Sequence, residues 1–197
     1  MKTNRLNGLV LVLLVLFSGC TGLRADESSA VEMPKRVELN SGDSHSMNYT
    51  PWYIHTFSIS GPKGTRIGGG GGNMLPMDED GSPGQAGGKC CTRYPREWQA
   101  DLRVTVRWLV DKKNEKMSDW YKAEEVRIPQ YDGSRSGGVW AIFLPGDRVK
   151  LMVADGNANG KNSVAVRPDD NDPYVVQGTP DEEWNYEYPK GRKRGLN

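Results

Sequence analysis

The sequence predicts a mainly β domain: a small antiparallel β-sandwich or sheet with long glycine-rich loops, set behind a leader segment and a flexible tether. Three observations predict it. Several short segments alternate apolar and polar residues with a period of two, clearest in Leu102 to Val110. Gly (24) and Pro (12) make up about 18% of the 197 residues, against the roughly 12% that is usual. No long stretch carries the 3.6-residue period of an amphipathic helix.

The leader is read first. Lys2 and Arg5 form a short positive start, Leu9 to Phe17 is an unbroken apolar run, and Ser18-Gly19 lead into Cys20. This is the order of an export signal: charged, apolar, then small residues at a cleavage site. The run is too short to span a bilayer, which needs about 20 residues. A cysteine at the cut resembles the bacterial lipobox, with Phe17 in the place usually held by Leu. That pattern implies a lipoprotein signal peptide over 1–19 and acylation of Cys20. Thr21, rather than Asp, follows the cysteine, which by resemblance to enterobacterial sorting directs the lipid anchor to the outer membrane, facing the periplasm.

Residues 20–46 are polar, with no apolar register, and read as a flexible tether. The globular domain is expected over 47–178. Its first strand is Trp52 to Ser60, where Tyr53, His55, Phe57 and Ile59 alternate with Ile54, Thr56 and Ser58, and Gly61-Pro62 stops it. Gly61 to Lys89, including Gly68 to Gly72, reads as a long glycine-rich loop. A second strand starts at Cys90 and is interrupted at Tyr94-Pro95. Leu102 to Val110 puts Leu102, Val104, Val106 and Trp108 on one face, and Arg103, Thr105 and Arg107 on the other. Trp120 to Pro129 is a further strand. Val139 to Leu144 is apolar throughout and is expected to be covered on both faces. Pro145-Gly146-Asp147 turns it back into Arg148 to Ala154, making the strongest hairpin in the chain. Val164 to Arg167 and Pro173 to Gln177 are short strand candidates. The last stretch, 179–197, reads as a polar, basic tail ending in Lys190 to Arg194.

Charge and motifs exclude several function classes. The formal net charge is +1, and loss of Lys2 and Arg5 with the leader takes it to −1, so there is no basic excess for nucleic acid. Gly88-Lys89 is followed by Cys90 rather than Ser or Thr, so the glycine run is not a phosphate-binding P-loop. Asp155 to Gly160 resembles half a calcium loop, but Val166 stands where the bidentate Glu belongs. Ser44-His45-Ser46 sets hydroxyls beside a histidine, yet a working triad is assembled in space, not in sequence. His55 reads as a packing residue. No cofactor, metal or catalytic set is expected. Cys90 and Cys91 are adjacent, and both a local disulfide and a pair of thiols are compatible with them. Trp108 and Trp140 read as core. For Trp52, Trp98, Trp120 and Trp184 core packing is the default reading, with a binding surface the alternative.

The order Asn48-Tyr49-Thr50, Tyr53-Ile54, Phe57-Ser58-Ile59, the glycine run, Gly87-Gly88, Cys90-Cys91, Pro95, Trp98 and the alternating strand Leu102 to Trp108 resembles a known family. It is that of uncharacterised proteobacterial lipoproteins grouped as domain of unknown function 3304. The resemblance runs from about Met47 to Ala154, with the double cysteine its most specific part. Members of that family often sit beside genes for phospholipases of type VI secretion. The resemblance therefore implies an immunity lipoprotein that binds and blocks a phospholipase toxin, and no enzymatic activity. The exposed acids Asp78, Glu79 and Asp80 are the candidate partner-binding residues. The alternative is a structural or accessory outer-membrane lipoprotein without a toxin partner.

Overall fold

The computed structural model describes residues 37–112, 119–135, 137–156 and 162–192. The elements are β1 (Leu39–Asn48), β2 (Tyr53–Ser60), β3 (Gly68–Met74), β4 (Gly84–Pro95), β5 (Val104–Asp111), β6 (Asp119–Val126), β7 (Val139–Leu144), β8 (Arg148–Val153), β9 (Val175–Gln177), β10 (Thr179–Pro180) and α1 (Glu182–Glu187), followed by a 3-10 turn at Pro189–Gly191. Ten strands form one sheet in the order β10-β6-β5-β2-β3-β4-β1-β7-β8-β9. The sheet is nearly closed into a barrel. Its pairs are antiparallel except β1 with β7, which are parallel.

Polar contacts draw the two ends of the sheet together. Lys112 Nζ reaches Asp147 Oδ2 at 3.1 Å and the Tyr121 hydroxyl at 2.6 Å. Burial works against the Lys112 charge, but these two hydrogen bonds outweigh it and hold its pKa above the ordinary lysine value. Arg127 donates to Pro173 O at 2.8 Å and lies over the Tyr174 ring.

The hairpin β7–β8 is buried along nearly its whole length. Val139, Ala141 and Phe143 of β7, with Val149, Leu151 and Val153 of β8, face the main core. Ile142, Leu144 and Met152 face the other way, into a second cluster with Met47 and Tyr49. Apolar residues at every position of β7 therefore reflect two buried faces, as its composition predicts. Each large side chain so buried contributes about 1.5–3 kcal/mol. Lys150, also on the outward face, is buried and ion-paired with Asp172 at 2.8 Å.

Four boundaries differ from the sequence reading. The tether expected over 20–46 ends earlier, because 39–46 form most of β1; residues 20–36 lie outside the described residues. β1 is polar, yet it is a strand because β4 and β7 pair with both of its edges. The loop expected over Gly61 to Lys89 contains the glycine run as strand β3 and the first half of β4, which starts at Gly84 rather than Cys90 and runs unbroken through Tyr94 to Pro95, because β1 pairs along it. A Cβ on Gly69 would lie 2.1 Å from Thr92 Oγ1, and one on Gly71 2.6 Å from Phe57 Cε1. The run is glycine because the neighbouring strands leave no room for side chains. Val164 to Arg167 forms bends, not a strand.

The fourth difference is the C-terminal stretch 179–197, read as a tail; its described part, 179–192, is docked. β10 pairs with β6. Asp181 is wholly buried, accepts from Arg107 Nε at 2.7 Å, and caps α1 by accepting from Trp184 N at 3.3 Å. Asn185 Oδ1 accepts from Trp120 N, and Trp120 Nε1 donates to Tyr188 O. This cover is what Arg107 and Trp120, both outside the barrel, require. Residues 193–197 lie outside the described residues.

Candidate functional site

Two bulges in β4 build the most distinctive region. Between Gly42↔Thr92 and Ser44↔Lys89, β4 carries one residue more than β1, and again between Ser44↔Lys89 and Ser46↔Ala86. Cys90-Cys91 thus oppose Asp43, and Gly87-Gly88 oppose His45. Bulges bend a strand and re-aim its side chains. Gly88 takes φ +75°, a left-handed conformation that glycine adopts at least cost. Gly87 leaves space for the His45 ring, whose Nδ1 would stand 2.6 Å from a Cβ there. His45 stacks on Trp140 at 4.6 Å between ring centroids, outside the barrel.

Cys90 and Cys91 are joined by a disulfide across a cis peptide and are exposed to solvent. Of the two states compatible with the sequence, the structure holds the local bridge.

Beneath the bulged strand is a polar cavity of about 260 Å³. Along most of their length β3 and β4 are not laddered: Gly68↔Arg93 is their paired position among the described residues. The cavity occupies that parting. Ser44 and Ser46 of β1 form one wall and His55 and Thr56 of β2 another, with Asn73 of β3 and Lys89 of β4 completing it. A bulge in β2 puts His55 there: Ile54 pairs with Val110 and Thr56 with Leu109, so one residue is extra. The alternation expected for β2 breaks at that point, and Ile54, Phe57 and Ile59 are all buried. His55 is accordingly half-exposed at the cavity, with Nε2 4.0 Å from Asp111, rather than a packing residue.

The hydroxyls differ in their partners. Ser46 donates to Ala86 O at 3.3 Å and Thr56 to Gly71 O at 3.0 Å. Ser44, 2% exposed, has no protein hydrogen-bond partner for its Oγ. A buried hydroxyl without a partner costs about 1–3 kcal/mol.

The acidic residues lie on a separate, hydrogen-bonded loop between β3 and β4. Leu75 O accepts from Asn48 Nδ2 at 2.9 Å and Met77 N donates to Thr50 O at 2.9 Å. Asp78 N donates to Ser82 O, and Asp80 Oδ1 accepts from Ser82 N, both at 2.9 Å. The hydrogen bonds from Ser82 hold the Asp80 carboxyl below its ordinary pKa. Asp78, Glu79 and Asp80 are exposed, as is Leu75 at 67%.

The structure does not bring the other candidates to this loop. Cys20 lies outside the described residues. Trp52 and Trp98 pack against the main core, Trp120 is 5% exposed, and Trp184 stacks edge-on against Trp120 at 4.7 Å. For these four, packing, the default reading, holds over the binding-surface alternative. Of the calcium-like segment, 157–160 lie outside the described residues, and among those described no group of three or more His, Cys, Asp or Glu is placed to hold a metal. Lys89 and Asn73 were not legible as cavity residues. The alternation Ser44-x-Ser46-x-Asn48 was the available signal, since it marks a small polar face of a strand.

Residues 47–151 match the family described as protein of unknown function, DUF3304. The chain belongs to that family. The match runs from the end of β1 into β8, over the stretch on which the resemblance rested. It takes in the glycine strand, the double cysteine and the acidic loop, but not Ser44 or the docked C-terminal segment. No curated protein and no solved structure matches the chain significantly.

Proposed function

We propose that this protein is a lipid-anchored binding protein of the bacterial envelope, held at Cys20 in the outer membrane and facing the periplasm. There it binds and blocks a phospholipase toxin of type VI secretion, by contact rather than catalysis. The observation that carries the binding reading is the loop from Leu75 to Ser82. It presents an exposed apolar side chain beside three exposed carboxylates; the Asn48 side chain and Thr50 hold its first residues, and Asp78 N–Ser82 O closes it on itself. A loop ordered before binding loses little entropy on docking, and its charges favour a basic partner surface. The lipase and the secretion context come from the family resemblance, and the anchor from the lipobox-like Phe17-Ser18-Gly19-Cys20.

The test is protection. The neighbouring lipase is expressed in the periplasm with and without this protein, and its activity is assayed with purified mature protein. Binding, restored growth and reduced lipase activity are expected. Leu75→Ala combined with Asp78→Asn and Asp80→Asn is expected to weaken all three. A wild-type protein that neither binds the lipase nor protects the cell overturns the immunity reading in favour of the accessory lipoprotein. Metabolic labelling with a palmitate analogue tests the anchor: Cys20→Ser is expected to lose the label and the membrane fraction.

A further inference from the structure

We infer that the Cys90–Cys91 disulfide is a redox-active site that exchanges with a dithiol, accepting two electrons while the domain stays folded. The inference rests on the cysteine pair, not on the toxin reading or the lipid anchor. A structural disulfide stabilises a fold chiefly by closing a loop of chain and so restricting the unfolded state. This one joins neighbours, with a sequence separation of 1, so it ties no two segments together. Both cysteines are exposed. Exposed disulfides are the labile ones, because an attacking thiolate can reach them.

The bulge in β4 lets the pair change state without breaking the sheet. Cys90 and Cys91 lie between the paired positions Ser44↔Lys89 and Gly42↔Thr92, and neither has a register partner on β1. On the other edge of β4, the pairing with β3 among the described residues is Gly68↔Arg93. The ladder therefore resumes on either side of the bridge and does not run through it. Lys89 directly precedes Cys90, Arg93 stands two residues beyond Cys91, and Asp43 opposes the pair across the bulge; all three are exposed. Two cations against one carboxylate favour a thiolate, the form in which a sulfur leaves.

The exchange starts when a donor thiolate attacks one of the two sulfurs. The S–S bond breaks, and its electron pair leaves with the other sulfur, which takes up a proton. Donor and protein are then joined by a mixed disulfide. The freed thiol sits on the adjacent residue, so its effective concentration at the mixed disulfide is high, and a donor with a single thiol is expelled again. A donor with a second thiol escapes this. Its second thiolate attacks the donor sulfur of the mixed disulfide, and the remaining cysteine sulfur leaves and is protonated. The donor departs as a disulfide, and Cys90 and Cys91 are left as two thiols.

The mature chain carrying Cys20→Ser has Cys90 and Cys91 as its only thiols. It is incubated under native conditions with reduced thioredoxin, a protein dithiol, or with glutathione, a monothiol, then quenched, alkylated and weighed by mass spectrometry. Thioredoxin is expected to reduce the pair and oxidised thioredoxin to restore it. Glutathione at equal thiol concentration is expected to yield roughly tenfold less of the reduced form. Circular dichroism and the urea midpoint are expected to be the same in both redox forms. Cys90→Ser and Cys91→Ser, each with one thiol left, are expected to hold a stable mixed disulfide with glutathione, since no neighbour expels it. A pair that stays oxidised under about a hundredfold excess of reduced thioredoxin, and yields only after unfolding, overturns the inference. So does a reduced form that unfolds or loses urea midpoint, which makes the bridge structural. Equal reduction by glutathione and thioredoxin overturns the dithiol as the donor.

Discussion

Replacing Asp181 by Ala tests whether the C-terminal segment is part of the fold. The Asp181 side chain is 0% exposed and that of Arg107 is 17% exposed, with 2.7 Å between Oδ2 and Nε. Removing one partner of a buried pair costs about 3–5 kcal/mol, because the other charge stays behind. The same carboxylate caps α1, a role worth about 1 kcal/mol. These losses share one side chain and do not simply add. Water reaches the guanidinium in part, and Trp184 lies 5.1 Å beneath it, so the lower end applies: about 3–4 kcal/mol. For a domain of this size that lowers the melting temperature by roughly 6–16 °C. Urea unfolding followed by tryptophan fluorescence is the assay, since Trp120 and Trp184 sit at the joint. Asp181→Asn keeps the size and one acceptor and is expected to lose about half as much. A loss for Asp181→Ala below about 1 kcal/mol, with unchanged fluorescence, would refute the docked segment and return 179–192 to a dispensable tail.

Three further outcomes are expected. Gly69→Ala places a methyl against Thr92, including its backbone Cα at 2.8 Å, so it is expected to destabilise by about 1–3 kcal/mol in chemical denaturation; a neutral result would mean β3 does not lie against β4. Tyr131 is buried and its pKa is raised, first by burial and then by Tyr94, while its hydroxyl donates to Pro95 O at 2.5 Å. An acid whose folded pKa is raised adds stability that is present below the unfolded value, about 10, and is lost as pH rises above it. Stability is therefore expected to fall above pH about 10, more steeply in wild type than in Tyr131→Phe, and equal slopes would contradict this. Mass spectrometry of the mature protein is expected to find Cys90 and Cys91 linked within one peptide, gaining two hydrogens on reduction; a disulfide-linked dimer would exclude the local bridge.

The sequence by itself determined the elements whose neighbours are local. Val139 to Leu144 and Arg148 to Val153 are joined by a short turn, and apolar residues on both strands report two covered faces. Leu102 to Trp108 alternates strictly, so its inward face was legible apart from any partner. The proposal of an export signal and of acylation at Cys20 likewise rests on contiguous residues alone.

Tertiary structure alone decided the cavity, the barrel closure and the role of the chain ends. β1 is polar from Asn40 to Ser46 because Ser44 and Ser46 face a cavity, and its strand character comes from β4 and from the parallel β7, some 40 to 95 residues away. The glycine strand has no side chains through which a period of two could be expressed. His55 and Lys89 reach the cavity through bulges, which shift a register by one residue without changing composition. Asp181 is buried only because Arg107, distant in sequence, needs its charge. Hydrophobic periodicity records which face of a segment is covered. It carries no record of which distant backbone pairs with it, and that pairing is what parts β3 from β4 and opens the site.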